Sequence, residues 1–88
     1  MNKLELYSSL IDKYNDKQIV VAIEELSELQ KELCKHLRDK TNMQNIIEEI
    51  ADVVIMVEQL CIYFGISQEL VKIKIEEKLK RTEERLMK

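Results

Sequence analysis

Apolar residues along this chain recur at three- and four-residue intervals in four blocks, separated by short polar or glycine-containing breaks, and so predict four helices. Leu4, Tyr7, Leu10, Ile11 and Tyr14 place the first over roughly residues 2–14. Asn15-Asp16 interrupts it and caps a second helix of roughly 17–39, whose apolar stripe is Ile19, Ala22, Ile23, Leu26, Leu29, Leu33 and Leu37. Thr41-Asn42-Met43-Gln44 reads as a capping box, with the Thr41 hydroxyl and the Gln44 amide serving the free backbone donors of the third helix. That helix runs to Phe64 and ends at Gly65, which takes the left-handed C′ position without steric cost. Ser67 caps a fourth helix of roughly 68–87, with Glu69 in its first turn.

The third helix is apolar nearly all the way round, from Ile50 to Val57 except Asp52 and again from Leu60 to Phe64. Such a helix must be covered on every side. Three companions in a small monomer fall short of that, so a homodimer or a dimer of dimers, a homotetramer, is expected. Tyr7, Tyr14, Tyr63 and Phe64 fall at helical spacing and read as core, as does Met56, whereas His36 reads as surface.

Composition agrees with an all-α, four-helix single domain spanning 1–88: there is no proline, one glycine, and 35% of residues are charged. A monomer of this size buries only about 64% of its unfolded surface, which makes its own stability modest. No apolar run is long enough for a transmembrane helix, and the amino terminus lacks the apolar centre of a signal peptide. Cys34 and Cys61, far apart and each in a helical pattern, read as reduced thiols of a cytoplasmic protein. A net charge of −3 argues against tracking a nucleic-acid backbone. The last helix is locally cationic, with Lys72, Lys74, Lys78, Lys80, Arg81, Arg85 and Lys88, and suits the phosphates of a small ligand.

The candidate chemistry lies in two acidic clusters inside apolar helices, Glu24-Glu25-Leu26-Ser27-Glu28 and Glu48-Glu49-Ile50-Ala51-Asp52. Residues three apart are neighbours on a helix, so Glu25 with Glu28 and Glu49 with Asp52 each present two carboxylates one way. At about 100° per residue, Ile46, Val53, Met56, Val57, Leu60, Tyr63 and Phe64 all fall within roughly 80° of Glu49, which sits in mid-stripe. Asp52 lies about 60° to one side. Glu25 borders the apolar stripe of the second helix and Glu28 is one step further round. Unpaired buried carboxylates are disfavoured, and two charges about 4 Å apart repel by roughly 4 kcal/mol at an effective dielectric near 20. A cation is expected among them. All-oxygen donors suit Mg²⁺, Mn²⁺ or Ca²⁺, and the single histidine, His36, lies outside both clusters, against a ferritin-like di-iron site.

Glu24-Glu25-x-x-Glu28 followed after 20 residues by Glu49-x-x-Asp52 resembles the EExxE…ExxD signature of the MazG-like, all-α nucleoside triphosphate pyrophosphohydrolases. Glu48-Glu49-Ile50-Ala51-Asp52-Val53-Val54-Ile55 is similar to that family's third-helix core, and Phe64-Gly65-Ile66 to its turn into the last helix. The resemblance covers the chain from the second helix onward. It implies Mg²⁺-dependent hydrolysis of a nucleoside triphosphate between the α and β phosphates, giving a monophosphate and pyrophosphate, with Mn²⁺ as a possible substitute. It further implies Glu25, Glu28, Glu49 and Asp52 as metal ligands, Glu28 as the residue that orients or deprotonates the attacking water, and Glu24 and Glu48 as supporting acids. Lys78, Arg81 and Arg85 share a face of the last helix and are the candidate phosphate contacts. Thr82 stands where the family usually has Asn. Open alternatives are a narrower substrate such as dUTP, dCTP or phosphoribosyl-ATP, and a non-catalytic helical interaction protein.

Overall fold

A computed structural model describes residues 1–88 and contains four helices and no strand: α1 (Lys3–Tyr14), α2 (Lys17–Leu37), α3 (Met43–Tyr63) and α4 (Gln68–Leu86). No helix is long and apolar enough to cross a membrane.

The predicted boundaries hold to within two residues, but two caps differ. The α3 cap is Asn42, not Thr41: Asn42 Oδ1 accepts from the Asn45 N–H at 3.1 Å. Thr41 is otherwise engaged, its hydroxyl 2.7 Å from the His36 ring Nδ1, and Gln44 donates to Glu48 at 3.5 Å instead of reaching back. Asp16 at the start of α2 already has helical backbone angles and makes no side-chain cap; its carboxylate accepts from the Tyr63 hydroxyl across the layer. At Gly65 (φ 65°) the Ile66 N–H reaches the Cys61 carbonyl at 2.8 Å and the Gly65 N–H the Ile62 carbonyl at 3.1 Å, a Schellman ending. Asp39 (φ 62°) closes α2 the same way without a glycine. Ser67 caps α4 as expected, its Oγ accepting from the Leu70 N–H at 3.1 Å.

The principal packing is α2 against α3, with α1 lying across them; α4 forms no comparable interface with the other three. Asp16 bonds Tyr63, Gln18 bonds Gln59, and Glu25 meets Asp52, so α2 and α3 run antiparallel in a register that sets Glu28 opposite Glu49 and Glu32 opposite Asn45. The face α2 turns to α3 takes only Ala22 and Leu29 from its apolar stripe and sets them among Gln18, Glu25 and Glu32. Ile23, Leu26, Leu33 and Leu37 are left exposed. On α3 the inward positions are Asn45, Glu49, Asp52, Met56, Gln59 and Tyr63, while Ile50, Val57 and Phe64 are exposed. These exposed apolar residues lie roughly 60–140° on from the inward faces, and in an antiparallel pair equal rotations bring both sets to the same side of the layer. Glu24, Glu28 and Glu48 are rotated the other way. The two-helix layer thus has an acidic side and an apolar side.

Of the residues expected in the core, Tyr7 and Met56 are buried and Tyr63 is half-buried, but Tyr14 and Phe64 are 40% and 60% exposed, because little in one chain covers them. His36 is exposed, as expected. The accessible surface is 7230 Å². A compact monomer of this mass exposes about 5,400 Å². The radius of gyration, 16.1 Å, likewise exceeds the roughly 12 Å of a compact 88-residue domain.

Candidate metal centre

Oxygens of Glu25, Glu49 and Asp52 lie within 4.8 Å of one another in the seam between α2 and α3, all three residues half-buried. The antiparallel register produces this: Glu25 is on the inward face of α2, and Glu49 and Asp52, three apart, are on that of α3. A Glu49 oxygen, Oε2, is buried without any hydrogen-bond partner. No Lys or Arg pairs with these three carboxylates.

The electrostatics follow. Burial raises the Glu25 carboxyl above its ordinary range, and the Asp52 charge, a hydrogen bond with Asp52, and the charges of Glu49 and Glu28 raise it further. Burial also raises Glu49, followed by the charges of Asp52, Glu28, Glu32 and Glu48. A cluster of oxygen donors with an orphaned buried oxygen and no protein counter-charge fits a hard divalent cation. Carboxylates without imidazole or thiolate are donors of the kind that suits hard cations such as Mg²⁺, Mn²⁺ or Ca²⁺.

The remaining candidates are distributed unevenly. Glu28 is exposed on the acidic side, near enough to bear on both Glu25 and Glu49 but outside the tight trio. Glu24 and Glu48 are also exposed, Glu48 held by Gln44. Lys78, Arg81 and Arg85 are exposed on α4, and one chain brings none of them into an ion pair with the carboxylates. Thr82 donates its hydroxyl to the Lys78 carbonyl at 2.8 Å, so its proton is committed to its own helix.

Sequence reasoning missed Glu32. It is buried on the inward face of α2, with Oε2 accepting from Lys35 at 3.2 Å and Oε1 without a partner. Its position seven residues after Glu25, nearly two full turns on the same face, was the available signal. Also unforeseen was the bond network of Tyr7, whose hydroxyl donates to Glu58 at 2.8 Å while Lys3 donates to the other Glu58 oxygen at 3.0 Å.

The largest concavity, about 390 Å³, is not at the carboxylates; Tyr7, Glu58, Cys61 and Ile62 line it across α3 from Glu49. The carboxylates themselves lie in an open seam, as expected of a layer that one chain leaves half covered. In comparisons with known proteins, no family model, no curated protein and no solved structure matches this chain.

Proposed function

We propose that this chain is a Mg²⁺-dependent nucleoside triphosphate pyrophosphohydrolase of the MazG-like kind, hydrolysing (d)NTPs to (d)NMP and pyrophosphate in nucleotide-pool housecleaning. The observation that carries the reading is the trio Glu25, Glu49 and Asp52 with a buried, partnerless Glu49 oxygen and no protein cation beside it. Those three, with Glu28, would hold the metal, which when bound neutralises phosphate charge and acidifies a coordinated water.

The residues' own contributions are distinct. Glu28, open to solvent and opposite Glu49, takes the proton of the attacking water as the new P–O bond forms and the anhydride bond between the α and β phosphates breaks, releasing pyrophosphate. Glu24 and Glu48 hold the acidic rim. Lys78, Arg81 and Arg85 contact phosphate once α4 is docked. Thr82 retains only acceptor capacity for substrate, since its hydroxyl proton is used.

Assembly belongs to the same reading. The chain exposes about 1,800 Å² more than a compact monomer, and a standard interface takes about 800 Å² from each partner. That surplus favours a homodimer or homotetramer built on Ile23, Leu26, Leu33, Ile50, Val57 and Phe64. The free thiols Cys34 and Cys61 suit the reducing cytoplasm.

The test is incubation of the full chain with Mg²⁺ and a panel of canonical and modified triphosphates, with dUTP, dCTP and phosphoribosyl-ATP included. Monophosphate and pyrophosphate in equal amounts are expected, and Glu49→Gln should abolish them while the helical circular dichroism is kept. Hydrolysis of one panel member alone would narrow the substrate. Silence across the panel would leave a helical interaction protein.

A further inference from the structure

A carboxylate that the acidic signature does not include points into the same seam. Glu32 is 5% exposed, the second most buried charged or polar side chain of the chain after Gln59. Only one of its oxygens is satisfied: Oε2 accepts from Lys35 at 3.2 Å, and Oε1 is buried with no partner. A buried carboxylate oxygen without a donor costs free energy, and the ion pair made by the other oxygen leaves that cost standing. It lies in the same seam, outside the tight trio of Glu25, Glu49 and Asp52. Glu32 stands nearly two turns from Glu25 on the same face of α2, opposite Asn45 and one turn from Glu49 on α3. Its charge bears on the Glu49 carboxyl. Two orphaned buried oxygens, Glu49 Oε2 and Glu32 Oε1, therefore belong to one end of one seam.

We propose that Glu32 is a further cation-binding carboxylate of this centre, giving Oε1 to a bound divalent ion, and that Lys35 is the counter-ion competing with that cation for it. This rests on the metal-centre reading above but adds a residue outside its four ligands. Lys35 suits the competing role because it is itself half-exposed and free to swing into solvent when a cation arrives.

Titration calorimetry of the full, nucleotide-free chain with Mn²⁺ tests this, alongside melting in Mg²⁺. Glu32→Gln keeps shape and removes charge; it should weaken Mn²⁺ binding by roughly 10-fold or more, the size of loss seen when a metal site's supporting carboxylate is removed. Lys35→Met should act in the opposite sense and tighten it. Wild-type affinity in Glu32→Gln would overturn the proposal while leaving the centre intact. Failure of the wild-type chain to bind Mn²⁺ or Mg²⁺ would overturn the metal-centre reading and this proposal with it. Should Glu32→Gln not fold, Lys35→Met decides: tighter binding supports the proposal, and unchanged or weaker binding overturns it.

Discussion

Gln18 donates to Gln59 at 2.9 Å, side chain to side chain, with both residues buried in the seam between α2 and α3. This amide pair sets the register that brings Glu25 beside Asp52 two turns away. Gln59→Ala strands the Gln18 amide and should cost about 1–3 kcal/mol in urea unfolding. Replacing both by Leu should recover most of that stability. The double variant should nevertheless bind Mg²⁺ less tightly, because apolar residues do not specify the register.

The exposed apolar side of the layer predicts association. Sedimentation of the wild-type chain should show a dimer or tetramer at micromolar concentration. Leu33→Asp or Val57→Asp places an uncompensated charge in the buried contact, a cost of about 3 kcal/mol or more, and should raise the dissociation constant at least about 100-fold. Both residues are close to half-exposed in one chain, so α-helix content should survive. A monomeric wild-type chain would contradict the prediction.

Acid should stabilise the metal-free protein before it destabilises it. Glu25 and Glu49 are raised above the ordinary 4.5, so between 4.5 and their folded values the native chain holds protons that the unfolded chain has lost. Stability then rises as pH falls from neutral toward that value. Glu58 has the opposite sign. The Tyr7 hydrogen bond, then Lys3, lowers it, so its contribution is present above 4.5 and fades as pH falls further. Melting temperature in EDTA should pass through a maximum in mildly acidic buffer. Glu49→Gln should flatten the rise, and saturating Mg²⁺ should reverse it, because cation and proton compete for the same oxygens.

Gly65 offers a test of local conformation without steric complication. A Cβ added there would meet nothing within 4 Å, yet the backbone φ is 65°. Gly65→Ala should cost about 1–2 kcal/mol by thermal melting, the left-handed penalty alone. Asp39→Gly, at the matching position after α2, should be neutral or slightly stabilising.

Helix number and boundaries were legible because their signals are local: Asn15, Gly65 and Ser67 act on the backbone within a turn of themselves. Of the four carboxylates expected to converge, Glu49 and Asp52 are linked by helical spacing alone, whereas Glu28, on the outer side of α2, stays outside the trio. Which face α2 turns inward was not. The sequence offers it a wide apolar stripe centred near Leu26 and Leu33, and a mixed face in which only Ala22 and Leu29 of that stripe join Gln18, Glu25 and Glu32; hydrophobicity favours the stripe's centre. The mixed face wins within one chain because Gln18–Gln59 and Asp16–Tyr63 satisfy their polar groups across the seam. Glu32 escaped notice because it resembles an ordinary surface acid with a lysine three residues on; only its burial distinguishes it.

Helix α4 buries no residue, and its Lys78, Arg81 and Arg85 form no ion pair with Glu25, Glu49 or Asp52 of their own chain. On the proposed reading, in which the centre uses both, a second copy of the chain would supply the α4 cations. Dilution should then act like an inhibitor, with specific activity falling as subunits part, while triphosphate bound between α4 and the seam should hold them together.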